Sequence, residues 1–504
     1  MSIKLDSIVL NNYDNKAIIK LSKLNSYKSV LDTIVDINSV NELSLLNLDK
    51  EYVCMSLDTS SIFLYRLSNN TIYRVPTEFV NEFSNIEIYV ISYNVKDILK
   101  YFHTNGIDIK YFWDCYIASK VLDENIEDTS LNGLYYLYIN DNDILDIEKI
   151  YKLYVFQKNE FHKDENEGLR NVYFNIELPC IRVVASMELN GIKIDKDYLL
   201  SIINDYSNSG NVYIYTKLCS ILKNLDDNNC IHSNIDQYAA VTGRMYTREP
   251  NLQNIPNNKI IRDIFIPNDG NMFISFDYSQ QEIRILSELC NDPKMISIFS
   301  NNKDIYSEVA SLLFNLPYEN CLKSSSNDMR DVAKRILLSI VYGISYSSLA
   351  NQLHCSIDDV KILKNKIFDE FKNIRVFENS VIHEVLSTNY VQTLFGRRRR
   401  FSENISNREY RQAINSKIQG TGSDILKLVL IELYNNKDLR KLDVNILLPL
   451  HDEILFECPS NNILQAKEII RKVMEESVLK YLHMPMKCDI KYFRKWGTPL
   501  TEVY

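Results

Sequence analysis

A multidomain α+β fold is what this sequence predicts, and three observations predict it. The chain has 504 residues, enough for two to four cores of ordinary size. Residues 1 to about 165 alternate short β-like and helical runs, the pattern of a small α/β domain. Further on, two apolar runs of strand length each stop at an aspartate: Met272 to Phe276 ahead of Asp277, and Ile446 to Leu450 ahead of His451-Asp452-Glu453.

Composition excludes several classes. A hydrophobic content of 45% with 24% charged residues is that of a folded chain rather than a disordered one. The net charge of -9 argues against a uniformly basic nucleic-acid binder but leaves room for local basic patches that steer phosphates. Ten cysteines stand singly with no C-x-x-C pair, so neither a zinc site nor a disulfide framework is expected. The N-terminus lacks a basic-then-apolar signal pattern and no apolar run reaches about 18 residues. A cytoplasmic protein without a membrane span is the expectation.

In the N-terminal region, Tyr52 to Leu57, Ile62 to Leu67 and Ile86 to Ile91 read as strands, and Val95 to Phe102 and Cys115 to Leu122 as helices. From Asn171 an amphipathic helical pattern runs to a C-capping Gly191, followed by a short strand. Only forty-six residues separate Asp195 from Thr242, room for one or two short helices. A Pro/Asn-rich stretch, Pro250 to Pro256, then follows Thr242-Gly243-Arg244.

Asp277 opens D-Y-S-Q-Q-E-I-R, where Ile283, Leu286 and Leu289 recur at helical spacing. Taken alone, a strand-Asp-helix junction is more often a helix cap than a catalyst. The second acid changes that reading. Ile446 to Cys458 forms a hairpin pattern with acids at its tip, and two strands each ending in a carboxylate suit a pair of Mg²⁺ ions that activate a hydroxyl and neutralise phosphate charge. Between them, Arg330, Lys334, Leu338 and Tyr342 fall at successive i+4 steps on one helical face, bringing two cations together for a triphosphate. A core helix with two solvated cations is the plainer reading of that stretch. Thr393 to Arg400, T-L-F-G-R-R-R-R, is the strongest basic cluster, and a solvated turn would also explain it.

In this order, Thr242-Gly243-Arg244 with P-N-L-Q-N-I-P, D-Y-S-Q-x-E-x-R from Asp277, the helix R-x-x-x-K from Arg330, Gln419-Gly420-Thr421 and His451-Asp452-Glu453 resemble family A DNA polymerases of the bacterial DNA polymerase I kind. The resemblance covers residues 171 to 504 strongly. It implies a right-hand polymerase with an antiparallel palm sheet, helical fingers and a reduced thumb, since the family places a much longer helical thumb between Asp195 and Thr242. The stretch from Ser92 to Leu122 resembles, more weakly, the family's RNase H-like 3'-5' exonuclease domain. That domain needs about four carboxylates. Here Asp58-Thr59-Ser60 lacks the glutamate of the first motif, Ile98 stands for the aspartate of the second with Asp97 one position early, and Tyr151 to Phe156 offers no aspartate.

The resemblance thus implies an inactive exonuclease-like domain over 1–165, a polymerase entry segment over 166–195, a reduced thumb over 196–230, palm over 231–290 and 425–504, and fingers over 291–424. Its implied metal ligands are Asp277, Asp452 and Tyr278, holding two Mg²⁺ ions for which Mn²⁺ can substitute. Its catalytic residues are Asp277, Asp452 and Lys334. The nucleotide would meet Arg330, Lys334, Leu338, Tyr342, Gln281, Tyr306 and Glu282, the last excluding a ribose 2'-OH. Primer-template DNA would meet Arg244, Arg411, Asn415, Gln419, His451, Arg397 and Arg398.

Two departures bear on affinity, namely Leu338-Ser339 where the family carries an aromatic-glycine pair and Tyr306 where it carries a phosphate-contacting histidine. The expected partners are primer-template DNA, dNTPs and a processivity or replication partner protein. The expected task is repair, lesion bypass or phage or plasmid replication, with low processivity and without proofreading. A single-subunit RNA polymerase and a noncatalytic DNA-binding scaffold are the rival readings.

Overall fold

Six strands build the sheet of the N-terminal unit: β1 (Ile34–Asp36), β2 (Tyr52–Leu57), β3 (Ser61–Arg66), β4 (Thr71–Pro76), β5 (Tyr89–Ser92) and β6 (Tyr111–Asp114). The computed structural model describes residues 34–140, 144–207, 209–323, 328–450 and 452–500. Two units divide the chain, Met1–Leu189 and Asn190–Tyr504, so residue 165 lies inside the first of them.

The sheet order is β1-β4-β3-β2-β5-β6. Strands β2 to β4 form an antiparallel meander, while β5 and β6 continue from β2 in parallel. Val53, Cys54 and Met55 are buried at the centre because β2 has a strand on either side and helices over it. Helix α1 (Val95–Thr104) buries Val95, Ile98, Leu99 and Phe102, the i, i+3, i+4, i+7 stripe that the sequence shows. Helix α2 (Cys115–Leu122) starts where Asp114, at the end of β6, accepts hydrogen bonds from the Ile117 N–H at 2.8 Å and the Val95 N–H at 2.7 Å. Helix α3 (Asp146–His162) sets Tyr151 edge-on against Tyr65, with ring centroids 5.7 Å apart.

In the second unit, Gly191 has φ +61°, and a Cβ there would lie 2.6 Å from the His232 ring. Only glycine fits that turn, which ends the preceding helix and starts the strand Ile192–Lys193. Helices α4 (Lys196–Ser207) and α5 (Val212–Lys223) occupy the short interval before Thr242. Each has 12 residues, about 18 Å of helix. They pack through Leu199, Ile202, Leu218 and Ile221.

The element around which the unit is built is β7 (Asn271–Tyr278), which leads into α6 (Gln281–Cys290). Helices α7 (Ile305–Phe314), α8 (Met329–Val341) and the 29-residue α9 (Asn407–Asn435) follow. Strands β8 (Asn445–Leu450), β9 (Glu453–Pro459), β10 (Cys488–Lys495) and β11 (Thr498–Pro499) then complete an antiparallel sheet of order β8-β9-β7-β10-β11. The central strand is covered on both faces, which is why Met272 to Phe276 is apolar without alternation. All ten cysteines are free thiols. Among the described residues no helix is long and apolar enough to cross a membrane.

Candidate active site

Sheet register brings the acids together. Asp277, near the end of β7, lies opposite Glu453 on β9 and opposite Asp489 on β10. Directly opposed residues of antiparallel strands point to one face, so three neighbouring strands present acids at the same level. The Tyr278 N–H donates to the Asp452 carbonyl at 3.2 Å, which fixes the hairpin tip against the end of β7. Burial pushes the Asp277 carboxyl up, and the nearby Asp452, Glu453 and Asp489 carboxylates add to the shift, so that it titrates at about 7 despite the opposing Lys491. Like charges held this close ask for a cation.

Asp277 and Asp452 border a cleft of about 790 Å³ that also meets Asp489, Gln281, Glu282, Tyr306, Arg330, Lys334, Leu338 and Tyr342. The four residues of α8 and its C-cap thus line one wall, as their i+4 spacing requires. Lys334 makes no ion pair among the described residues, and its Nζ lies 5.7 Å from the centre of the Tyr306 ring. The Arg330 guanidinium stacks 5.2 Å from the same ring and pairs with Asp304. Glu282 accepts from Arg244 Nη2 at 3.0 Å, and burial together with the nearby Glu282 carboxylate pushes the Tyr342 phenol up. Arg244 therefore reaches the site through Glu282.

Arg284 is a brace for the turn rather than a site group. Its Nε donates to the Ser279 carbonyl at 2.9 Å and its Nη1 to the Pro485 carbonyl at 2.6 Å, while burial lowers its pKa to about 10. Glycines let the remaining parts approach. Gly243 has φ +75°, and a Cβ there would lie 2.6 Å from the Arg397 guanidinium; at Gly343, with φ +62°, a Cβ would lie 2.4 Å from Arg411 Cβ. Arg411, Asn415 and Gln419 follow each other at i+4 along α9, and Asn415 Nδ2 donates to the Val341 carbonyl at 3.2 Å.

One expectation is corrected. Arg397 is 2% exposed and Arg398 8%, so neither guanidinium is offered to DNA phosphates. Arg397 Nε and Nη2 donate to Asp424 Oδ1 at 2.8 and 2.6 Å, and the guanidinium of Arg398 stacks on Tyr390. The basic run is used inside the fold because Asp424 of α9 needs a buried counter-charge. The Tyr278 hydroxyl is committed to the Met474 carbonyl at 2.8 Å, while the residue itself borders the cleft. Asp489 of β10 also borders the cleft. His451 lies outside the described residues.

The sequence reading also missed Asp304 and Glu453. Glu453 was within reach, since it stands in the H-D-E tip, whereas Asp304 and Asp489 enter through long-range packing. Among the described residues, no group of three or more His, Cys, Asp or Glu side chains converges as a metal cage. Two hard carboxylates in a polar cleft still fit Mg²⁺, which commonly takes one or two protein carboxylates and completes its shell with phosphate oxygens and water.

Comparisons with known proteins agree with this geometry. The profile of DNA polymerase family A matches residues 149–498. The chain is 28% identical over 525 aligned positions to DNA polymerase I of Caldicellulosiruptor bescii, covering 86% of this chain and 61% of that protein. It is 34% identical over 277 positions to DNA polymerase I of Streptococcus pneumoniae strain R6, covering 53% of this chain and 31% of that protein. It thus spans less than two thirds of the length of these relatives. The polymerase domain of Pol1 from M. smegmatis, solved in complex with DNA primer-template and dNTP, superposes with a TM-score of 0.80 at 22% identity, over 91% of this chain and 98% of that one. With more than half of its length matched by the profile, the chain belongs to DNA polymerase family A.

Proposed function

We propose that the protein is a template-directed DNA polymerase that adds dNTPs to a primer 3'-hydroxyl. The observation that carries this reading is one cleft lined by Asp277 and Asp452, whose strand ends the Tyr278 N–H to Asp452 carbonyl bond ties together, and by Arg330 and Lys334. Asp277 and Asp452 would hold two Mg²⁺ ions, with Mn²⁺ able to substitute; such ions supply charge neutralisation and a more acidic hydroxyl. The chain's own groups do the rest. Arg330 and Lys334 receive the charge that develops on the pyrophosphate side, and Tyr342 borders the nascent base pair. Glu282, held by Arg244, occupies the place where a 2'-hydroxyl would need room.

In domain terms, the five-stranded sheet is read as the palm, the helices from 291 to 424 as fingers and α4–α5 as a reduced thumb. The N-terminal unit is read as an exonuclease-like domain without hydrolytic activity. Three placements support that reading. Asp58 caps an exposed turn through the Ser60 and Ser61 N–H groups, Ile98 is a core residue, and Asp97 pairs with Lys100. A short thumb neutralises fewer phosphates, so binding is weak and salt-sensitive, which suits repair, lesion bypass or phage or plasmid replication with a processivity partner.

Primer extension with purified protein, Mg²⁺ and either dNTPs or rNTPs tests the reading. Extension with dNTPs that is lost in Asp277→Ala is expected. Extension with rNTPs instead, or equal extension by the variant, would overturn it.

A further inference from the structure

One carboxylate outside the two catalytic acids touches both walls of the cleft. Asp304 is the N-cap of α7, where its Oδ1 accepts from the Ser307 N–H at 2.8 Å and its own N–H donates to the Tyr318 hydroxyl at 3.1 Å. Anchored in this way, it reaches across to α8. Arg330 Nε donates to Oδ1 at 3.2 Å and Nη2 to Oδ2 at 2.7 Å, a side-on fork. Gln280 Nε2 donates to the same Oδ2 at 2.8 Å. Gln280 is the residue between Asp277 and Glu282 whose backbone is left-handed, with φ +59°.

Geometry decides what this can do. The fork occupies the Nε and Nη2 edge of the guanidinium, and the Tyr306 ring, two residues after Asp304, covers one of its faces. The remaining corner, Nη1, has no acceptor nearer than Asp331 at 3.9 Å among the described residues. A flexible arginine with many rotamers is thereby held with that corner unpaired among the described residues at the edge of the cleft.

We propose that Asp304 is a positioning residue for nucleotide binding, fixing Arg330 edge-on so that its free corner meets the triphosphate, and holding the turn after Asp277 through Gln280. The inference rests on the polymerase reading. Asp304 does not touch substrate; it acts through Arg330.

Asp304→Asn separates this role from helix capping, because asparagine caps as well as aspartate but cannot pair with a guanidinium as a charge. Single-nucleotide incorporation would be measured for the wild type, Asp304→Asn, Arg330→Ala and the double variant, together with thermal unfolding. Asp304→Asn is expected to raise the KM for dNTP about tenfold, with kcat and the KM for primer-template within about twofold and the unfolding midpoint unchanged. In the Arg330→Ala background the same substitution should change the KM less than about twofold, because the residue it serves is gone. A wild-type KM in Asp304→Asn, a loss of kcat instead of affinity, or a full penalty persisting without Arg330 would overturn the proposal. Failure of the wild-type protein to extend any primer would instead sink the polymerase reading itself.

Discussion

Asp114 and Asp277 share one sequence pattern, an apolar strand ending in aspartate before an amphipathic helix, and burial drives both carboxyls up to about 7. Their partners differ. Asp114 is surrounded by donors, the N–H groups of Val95 and Ile117, which oppose the effect of burial. Asp277 faces acids from two strands and from the hairpin tip, and the one cation among the causes of its shift is Lys491. A carboxylate supplied with N–H donors is a finished structural joint, whereas one crowded by other carboxylates lacks a compensating partner within the chain. The local sequence cannot tell them apart; the strands across from them can.

Four experiments break or sharpen that contrast. The largest effect is expected in catalysis. Asp277→Ala should lower primer extension about a thousandfold or more with the fold intact by circular dichroism, while Asp114→Ala should leave the rate per folded molecule unchanged. Equal losses would erase the distinction. Next comes stability, where Asp114→Ala strands two buried N–H donors and should cost about 1–3 kcal/mol in urea unfolding. Asp277→Ala, by removing like-charge repulsion, should cost nothing and can stabilise the metal-free protein.

The third experiment uses pH. An acid whose folded pKa lies above its unfolded value contributes stability that is full below the unfolded pKa, near 4, and is lost as pH rises through about 7. Metal-free wild type should therefore lose melting temperature between pH 4 and 8, and Asp114→Asn and Asp277→Asn should each flatten part of that slope. Millimolar Mg²⁺ should flatten the Asp277 part alone. A Mg²⁺ effect that persists in Asp277→Asn would place the ion elsewhere. The smallest effect belongs to the wall opposite the acids. Leu338→Phe should lower the KM for dNTP by about twofold to fivefold through added ring contact, and unchanged kinetics would show that position 338 does not touch the nucleotide.

Much of this was legible in the chain itself. Tyr52 to Leu57 and Cys115 to Leu122 are the strand and helix that their apolar spacing predicts, and Asp277 and Asp452 border one cleft. What was hidden depends on pairing across long separations. Strand β4 and strand β6 carry mixed patterns that only the meander and the parallel neighbour explain. Asp489 sits in C-D-I-K-Y-F, unremarkable until the register places it beside Asp277. Four consecutive arginines look like a phosphate-binding face, yet Arg397 is interior because Asp424, one of the buried polar residues of α9, takes its charge. Residue type announces charge, and only the partner reveals whether that charge is spent.

Helix α9 runs unbroken from Asn407 to Asn435, about 43 Å of rod. Gly343 sits against Arg411 near its start, and Gly422 lets Gln281 and Ile285 lie against its middle. The helix is continuous between these points, so the Gly343 turn and Gln281 rest on one element. If the rod moves as one body, a swing of the Gly343 turn reaches Gln281 and Asp424 as a lever's motion does, scaled by distance from the pivot. Spin labels at two exposed positions along the rod would keep their separation while their distances to α8 change together.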